Sequence, residues 1–272
     1  MEHDLSAPLT VEQMYEDWGI EWEDAVDLAD ASLDPRPRSS IYDTVAACGI
    51  GPASRVLDIG GRDGAQALDL AERFGCRMLS VDPVEDNVEL GKADIAAHPS
   101  GHLVDITVGT IEDIPAEDET FDLVFSRDML GHVERLDAAL IECRRVMVPG
   151  AAMVIHDVFA TPLLDPAEAA SLSADLAQVP ERLDLALFER TVAEAGFTID
   201  EIDVVGSEWL EATLESDDAE RRLLRVARMR RDRDRLIESM GVVPYRVVLA
   251  NTLWTIYRMI GKLEDRVYVI RV

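Results

Sequence analysis

The sequence predicts an α/β protein with a doubly wound, mostly parallel sheet of seven strands and a helical cap inserted before the last strand. Three observations support this prediction. Residues 55–83 have the pattern of a strand, a glycine-rich turn, a helix and a second strand that ends on Asp82. From there to Asp157, apolar strand-like runs alternate strictly with stretches of helical spacing, which is typical of a parallel sheet. Residues 207–262 then have helical patterning and separate the sixth predicted strand from the last one.

The composition limits the classes of function. A chain of 272 residues with 48% apolar residues can build one domain with a small cap. Its net charge of −28 gives a surface that repels nucleic acid and anionic membranes, so we expect neither as a partner. The acidic N-terminus lacks the apolar core of a signal peptide, and no apolar run is long enough to span a bilayer. We therefore expect a cytoplasmic protein.

The spacing of cysteine and histidine predicts no metal site. Cys48, Cys76 and Cys143 have neither metal-ligand nor C-x-x-C spacing, and we interpret them as buried thiols in a reducing compartment. His98 and His102 are four residues apart, but a proline and a glycine lie between them, so they do not share a helical face.

The glycine-rich turn carries the strongest functional signal. Gly60, Gly61 and Gly64 let the backbone turn sharply and let a ligand lie close to it. The helix predicted over residues 65–74 offers free N–H groups at its start. Asp82, at the tip of the second strand, can accept hydrogen bonds from both hydroxyls of a ribose. The unit indicates a nucleotide site, although an ordinary strand–turn–helix with a surface aspartate has the same pattern.

The spacing of these glycines selects between nucleotides. A dinucleotide site needs G-x-G-x-x-G, and neither register fits, because Arg62 and Asp63 stand where the second glycine is required. The remaining pattern, Asp58-x-Gly60-x-x-x-Gly64, resembles motif I (D/E-x-G-x-G-x-G) of the class I S-adenosylmethionine (SAM) dependent methyltransferases. Arg62 replaces the middle glycine, which usually lies beside the methionine part of SAM. Either its side chain points away or the pocket is altered.

Two further segments resemble the same superfamily. Residues 120–124, TFDLV, resemble its S-F-D-x-V signature, and Phe188 with residues 195–197, AGF, resembles its late F…AGF segment. The resemblance covers residues 56–157 well and is to small-molecule enzymes of the glycine/sarcosine, phosphoethanolamine and natural-product types. It implies the Rossmann-like methyltransferase fold, with the last strand antiparallel between strands five and six.

The other elements follow from the same hydrophobic periodicities. The predicted helices cover residues 11–18, 21–31, 40–48, 84–97, 136–147, 166–179, 182–195, 218–240 and 245–260. The later strands cover residues 103–108, 121–126, 153–155, 197–205 and 266–272. We expect four parts: N-terminal lid helices (1–40), a SAM-binding core (41–206), a helical cap (207–262) and the last strand (263–272). In the superfamily such N-terminal helices often lie over the cofactor; here a solvated acidic arm is the alternative.

The resemblance implies SAM as the cofactor and S-adenosylhomocysteine as the product. The loop after strand three holds adenine in the superfamily, and there the backbone of Ile111 would face the edge of the ring. The family usually has an acid where this chain has Thr110, so either Thr110 accepts more weakly or Glu112 substitutes. The implied cofactor-binding residues are Asp58, Gly60, Gly61, Arg62, Gly64, Asp82, Pro83, Thr110, Ile111, Glu112, Ser126 and Arg127.

The resemblance also implies in-line attack of a small-molecule acceptor on the sulfonium methyl. Where an amine or hydroxyl acceptor needs a base, His132 is the first candidate, followed by Asp128, His156 and Asp157. His132 has a structural hydrogen bond as its alternative, and Asp128 could equally orient the acceptor; the role of His156 is open in the same way. The substrate pocket would be walled by aromatic side chains and one acid, although such aromatics are often core residues. These candidates are Tyr15, Trp18, Asp157, Tyr245, Trp254 and Tyr257.

An arginine cluster and two alternative functions stay open. The cluster either binds a phosphate, diphosphate or carboxylate of the substrate, or forms a solvated helix that pairs with the excess acids, within or between subunits of a homo-oligomer. Its members are Arg221, Arg222, Arg225, Arg228, Arg230, Arg231, Arg233 and Arg235. Arg62, and residues 148–151, VPGA, where the family usually has K/R-P-G-G, keep open a SAM-fold enzyme of other chemistry, such as cyclisation or decarboxylation. The second alternative is a degenerate SAM-binding scaffold.

Overall fold

A computed structural model describes residues 10, 20–215 and 220–272. The helix predicted over residues 11–18, with Tyr15 and Trp18, lies outside the described residues. The chain divides into two compact units, Met1–Pro35 and Arg36–Val272.

In the first unit, helix α1 (Trp22–Asp30) confirms the helix predicted over residues 21–31. Glu23 and Asp24 lie in its first turn, where a negative charge interacts favourably with the helix dipole.

The second unit contains a seven-stranded sheet in the order β3-β2-β1-β4-β5-β7-β6. Strands β1 to β5 pair in parallel, whereas β7 lies antiparallel between β5 and β6. The doubly wound, mostly parallel sheet and the position of the last strand are therefore as predicted. The strands are β1 (Arg55–Ile59), β2 (Arg77–Asp82), β3 (Val104–Val108), β4 (Phe121–Arg127), β5 (Met147–Ala160), β6 (Thr198–Gly206) and β7 (Leu263–Arg271).

Helices lie between most consecutive strands and form the segment before β7. A loop joins β3 to β4 instead, so the strict alternation predicted from the sequence is wrong at this point. Gly75, in the left-handed conformation with φ 68°, ends the helix after β1, as the sequence indicates. The helices of this unit are α2 (Ile41–Ala47), α3 (Ala65–Phe74), α4 (Glu85–Ala97), α5 (Leu136–Val146), α6 (Pro166–Leu176), α7 (Leu185–Glu194), α8 (Glu208–Glu215), α9 (Glu220–Arg231), α10 (Arg233–Met240) and α11 (Val242–Met259).

Two elements differ from the sequence prediction. The helix predicted over residues 218–240 is broken into α9 and α10 at Asp232, whose backbone is not helical (φ −120°, ψ 39°). Strand β5 begins at Met147 rather than at residue 153, because the chain around Pro149 and Gly150 (φ 81°) stays in the sheet through a shift of register against β4. Both differences arise from local backbone irregularities that hydrophobic periodicity does not show.

Apolar side chains fill both faces of the sheet. Leu57 and Ile59 point to the face covered by α5 and α7, whereas Val56 points to the face covered by α2 and α3. A third buried cluster joins α6 and α11 to the extended ends of β5 and β7, with Val158 and Tyr257 among its members. This third cluster holds the segment before β7 beside the carboxyl ends of the central strands, where ligands bind in such sheets.

Candidate active site

The turn after β1 is folded against the end of β2. Gly60 and Gly64 have φ values of 69° and 74°, and Arg62 between them has φ 53°, a conformation that favours glycine. The N–H of Gly60 donates to Val81 O (2.8 Å), and the N–H of Arg62 donates to Asp82 Oδ2 (2.9 Å). The Arg62 side chain is exposed and has no ion-pair partner among the described residues. The arginine in place of the middle glycine therefore takes the backbone conformation of that glycine and points into solvent.

Asp58 supports this turn from below. Its buried carboxylate accepts a hydrogen bond from Ser80 Oγ (3.0 Å). A Cβ on Gly61 would lie 1.9 Å from Ser80 Oγ and 2.3 Å from Asp58 Oδ2, so only glycine fits against this pair. Burial raises the pKa of Asp58 to about 6, against the opposing effects of the Ser80 hydrogen bond and the charge of Arg127. Asp58 is thus a buried support of the turn.

Asp82 lies at the end of β2 with its carboxylate buried and partly satisfied. Oδ1 accepts from the N–H of Val84 (3.0 Å) and from Asn87 Nδ2 (3.1 Å), while Oδ2 accepts, among the described residues, only from the N–H of Arg62. A carboxylate offers about four acceptor positions, so Oδ2 keeps capacity for a further donor. Pro83 is exposed at the start of the following loop.

The predicted adenine loop follows β3 and lies beside Asp82. The N–H of Gly109 donates to Asp82 O (3.1 Å), and a short bridge links Thr110 to Asp113. Ile111 is buried, whereas Glu112 is exposed. The ends of β1, β2 and β3 thus bring together the residues that the sequence assigned to one nucleotide.

The end of β4 adds two polar side chains. Ser126 is fully buried, and its Oγ has no hydrogen-bond partner. Arg127 is half-buried and forms no ion pair with any residue that the structure describes. Burial, then the charge of Arg38, lower the pKa of Arg127, against the attraction of Asp128 and Asp58.

A cavity of about 810 Å³ opens beyond β4. Asp128 lines it, and the next residue, Met129, packs over the glycine turn, since a Cβ on Gly60 would lie 2.8 Å from Met129 Cβ. The residue that follows Asp128 in the chain thus touches the turn after β1. Its lining residues are Asp128, Gly131, His132, Asp157, Asp175, Leu176, Ala177, Gln178, Arg222, Arg225, Val247, Val248, Asn251, Thr252, Trp254, Thr255 and Arg258.

Asp128 is positioned by charged neighbours. Its backbone is left-handed (φ 58°), its carboxylate pairs with Arg38, and Oδ1 lies 3.3 Å from His156 Nδ1. Burial alone would raise the pKa of Asp128, but the charges of His156 and then of Arg38, Arg258 and Arg127 outweigh it and lower the pKa. Asp128 is therefore a carboxylate at the cavity wall.

The side chain of His156 is fully buried, although it is a sequence candidate for a base. Its Nε2 faces Asp265 Oδ1 at 2.7 Å, and its ring packs on Trp209 with 4.8 Å between centroids. It does not line the cavity. Since a general base must reach the proton that it removes, this geometry fits a residue that positions Asp128.

His132 and Asp157 do line the cavity. His132 Nδ1 lies 2.9 Å from Ala177 O, and because a carbonyl only accepts, Nδ1 carries the hydrogen and leaves Nε2 as the acceptor of the neutral ring. Asp157 is buried, and burial raises its pKa to about 7, against the hydrogen bond from the N–H of Val158. Asp157 can therefore exchange a proton near neutral pH.

Of the three described aromatic candidates, Trp254 lines the cavity. Tyr245 is buried and its hydroxyl donates to Met229 O (2.9 Å), and the hydroxyl of Tyr257 donates to Glu168 (3.1 Å). These hydrogen bonds fix α11 against α9 and α6. The two tyrosines are therefore structural, because neither lines the cavity.

Several cavity residues were not singled out from the sequence. Asn251, Thr255 and Arg258 follow one another at helical spacing on α11 and face the cavity. This polar stripe on a largely apolar helix is a signal that could have found them. Gln178 gives no such signal, because it follows α6 in a loop.

Two negative findings concern the described residues only. Among them, no group of three or more His, Cys, Asp and Glu side chains could hold a metal ion. No helix in residues 20–215 and 220–272 is long and apolar enough to cross a membrane.

Comparison with known proteins assigns the core. Residues 57–155 match the family model of the methyltransferase domain. These residues are therefore similar to a methyltransferase domain. Over 112 residues, the chain is 30% identical to a glycine/sarcosine/dimethylglycine N-methyltransferase from Actinopolyspora halophila; this covers 41% of the chain but only 20% of that relative's length.

Solved structures share the fold over most of the chain. Geranyl diphosphate C-methyltransferase from Streptomyces coelicolor A3(2) has a TM-score of 0.65 at 13% identity, over 86% of this chain and 77% of that one. The cyclase SpnF has a TM-score of 0.62 at 17% identity, over 84% of this chain and 79% of that one. At these identities the likeness extends to the fold alone.

The residues of the methyltransferase domain fit SAM. Asp82 Oδ2 has acceptor capacity for a ribose hydroxyl, and the unpaired, half-buried Arg127 suits a carboxylate. The buried Ser126 Oγ lacks a partner in the same region. The methyltransferase domain thus offers an acceptor and a cation of the kinds that a nucleoside with an amino-acid tail requires.

Proposed function

We propose that the chain is a SAM-dependent methyltransferase whose acceptor is a small molecule bound in the 810 Å³ cavity. The observation that carries the proposal is the contact of Met129 with Gly60 in the glycine turn, because Met129 directly follows Asp128, which lines the cavity. Methyl transfer requires the donor and the acceptor to lie side by side in line.

In this proposal Asp82 accepts from the ribose and the loop from Thr110 to Glu112 holds adenine. The turn from Gly60 to Gly64, above Asp58, surrounds the methionine part, with Ser126 and Arg127 at its carboxylate end. When bound, SAM supplies an electrophilic methyl group on a sulfonium. S-adenosylhomocysteine, the product, uses the same contacts.

Two side chains are proposed to take the proton of an amine or hydroxyl acceptor. Asp157 suits this step because its pKa of about 7 lets it exchange a proton near neutral pH. His132 Nε2 is the second candidate. Asp128 would orient the acceptor, His156 would position Asp128, and Trp254 would form an apolar wall.

The arrangement around this site is part of the proposal. We place the core in residues 41–206, the cap in residues 207–262 and the last strand in residues 263–272. The cap is placed there because α9 and α11 supply cavity residues. The role of residues 1–40 as a lid stays a prediction. Free Cys76 and Cys143 are buried, which suits a cytoplasmic enzyme. A natural-product acceptor and a homo-oligomer remain predictions.

Calorimetric titration with SAM and S-adenosylhomocysteine, beside NAD, tests the cofactor. We expect micromolar binding of both adenosyl ligands and none of NAD. Asp82→Ala should weaken SAM binding by about 1–3 kcal/mol, because it removes a buried acceptor. Asp86→Ala, at an exposed acid on α4, is the matched control and should bind as wild type. Equal affinity in the two variants would refute the assignment of Asp82.

A second candidate, a SAM-fold enzyme that performs cyclisation or decarboxylation, rests on Arg62 in the glycine turn. Incubation with methyl-labelled SAM and an acceptor mixture separates the two. Label recovered in a small molecule supports methyl transfer. Conversion of an acceptor without incorporation of label supports the second candidate.

A further inference from the structure

We infer that the methyl acceptor carries an anionic group, a carboxylate or a phosphate, which Arg222 and Arg225 bind at the cap wall of the cavity. This inference rests on the proposed function, because it concerns the acceptor of that reaction. It separates these two residues from the rest of the arginine cluster, for which the sequence left both an anion site and a solvated helix open.

Position and spacing distinguish the two arginines. They lie three residues apart on α9, so their side chains emerge on one face of the helix, and both line the cavity. Neither has a hydrogen-bond or ion-pair partner among the described residues. Arg222 is half-buried and Arg225 is exposed. Arg228, on the same helix, is exposed too but does not line the cavity.

The lack of partners matters because acids outnumber bases in this chain, 54 to 26. Other arginines in the same region do find carboxylates: Arg258 pairs with Asp265, and Arg246 pairs with Asp175 at 2.5 Å. Arg222 and Arg225 face the cavity and have no carboxylate partner among the described residues. Their planar guanidinium groups are therefore free to donate to an oxyanion.

The charges of the side chains around the cavity also favour an anionic ligand. Asp128 is paired with Arg38, and Asp175 with Arg246. Arg258 is neutralised by Asp265. Once these pairs cancel, Arg222, Arg225 and Asp157 remain, and Asp157 has a pKa of about 7, so it is only partly ionised at neutral pH. The cavity therefore has an excess of positive charge that an anionic group would balance.

A second polar group without a partner among the described residues indicates which other group the acceptor carries. Gln178 lines the cavity, and its buried Oε1 accepts no hydrogen bond from the described residues. Such an oxygen requires an N–H or O–H donor. With Asp157 it suits the amine or hydroxyl that is methylated, while the arginines hold the anion. The inferred acceptor thus combines a nucleophilic N–H or O–H with a separate anionic group.

The test measures anion binding to the full chain saturated with S-adenosylhomocysteine. Inorganic phosphate and acetate serve as the two probes, at an ionic strength held constant with sodium chloride, and the shift of the thermal midpoint reports binding. We expect at least one probe to give a saturable shift in wild type and in the control Arg228→Ala. Arg222→Ala and Arg225→Ala should each weaken that binding about tenfold or more. The double variant should abolish it.

The two probes separate the anion classes. A response to phosphate alone assigns a phosphate-bearing acceptor, a response to acetate alone a carboxylate, and a response to both supports the site. No saturable shift in wild type, or an equal shift in wild type and the double variant, would overturn the inference. Should the alanine variants fail to fold, Arg222→Lys and Arg225→Lys keep the charge, lose the planar fork and should still weaken binding.

The failure of the inference and that of the proposed function are distinguishable in the same samples. Calorimetry with S-adenosylhomocysteine checks the cofactor site separately from the anion site. If it binds but neither anion does, only the inference fails. Pairs of candidate acceptors extend the test. A compound that bears a carboxylate should be methylated, whereas the same compound with a neutral amide in place of that carboxylate should not.

Discussion

His156 Nε2 lies 2.7 Å from Asp265 Oδ1, and the two side chains are 0% and 1% exposed. Arg258 of α11 binds both oxygens of the same carboxylate. One buried acid thus joins β5, β7 and the long helix of the cap. The other side of His156 faces Asp128 at the cavity wall, so this network also connects the attachment of the cap to the position of a site residue.

Replacing Asp265 by Ala should destabilise the protein by about 3–5 kcal/mol, because it leaves Arg258 buried without its partner. The free energy of unfolding in urea measures the effect. Asp200→Ala is the matched control, since Asp200 pairs with Arg271 at the surface, where both side chains are more than a third exposed, and should cost less than about 1 kcal/mol. Similar losses in the two variants would contradict a buried network.

The sequence reveals the parts of this fold that depend on local patterns. The glycine turn, the acid at the end of β2 and most of the alternation of strands and helices follow from residues close together in the chain. The structure has them, except that a loop without a helix joins β3 to β4. The buried network does not follow from such patterns, because His156 and Asp265 are 109 residues apart. A histidine after a strand has the same local sequence whether it faces a substrate or a buried carboxylate.

The cavity was predicted less completely than the turn. Its cap wall comes from α9 and α11, whose arginines, asparagine and threonines look like an ordinary solvated surface in the sequence. Tyr245 and Tyr257 are aromatic residues of a predicted helix and were therefore candidates for the pocket wall. In the structure their hydroxyls instead donate hydrogen bonds to Met229 O and Glu168. Which face of a cap helix turns inward is decided by packing against other elements, and periodicity alone does not specify it.

Gly61→Ala should destabilise the protein by at least about 2 kcal/mol, because the new Cβ would overlap Ser80 Oγ and Asp58 Oδ2 at 1.9 and 2.3 Å. Urea unfolding measures the loss. Gly51→Ala is the control, because a Cβ there meets nothing within 4 Å, and should stay within about 1 kcal/mol of wild type. A well-tolerated Gly61→Ala would contradict the tight packing of the turn on this pair.

Arg62→Gly should stabilise the protein by about 0.5–1 kcal/mol. Arg62 has φ 53°, and the strain of a left-handed arginine exceeds the extra chain entropy that glycine loses on folding. Glu119→Gly is the matched control, because Glu119 is exposed and has φ 49° far from the turn, and it should show the same gain. A loss of stability in Arg62→Gly beside a gain in Glu119→Gly would mean that the Arg62 side chain contributes a contact.

Asp157→Asn should remove part of the pH dependence of stability. Burial raises the pKa of Asp157 to about 7 in the folded chain, whereas an unfolded aspartate has a pKa of about 4. Between these values the folded state binds more protons than the unfolded state. The free energy of unfolding therefore falls as pH rises from about 4 to about 7, by up to about 1.4 kcal/mol per pH unit, and levels off above that range.

Wild type minus Asp157→Asn isolates this contribution, because Asp58, whose raised pKa acts in the same direction, is present in both chains and cancels. We expect the difference to fall between pH 5 and 7, measured by urea unfolding in a series of buffers. Glu168→Gln is the control: a hydrogen bond from Lys262 lowers the pKa of Glu168, so its contribution to stability is lost only at more acidic pH.

The same series separates the two base candidates. If Asp157 is the base, activity rises with pH through about 7 in wild type and collapses in Asp157→Asn; retained activity with an unchanged profile would leave the proton to His132.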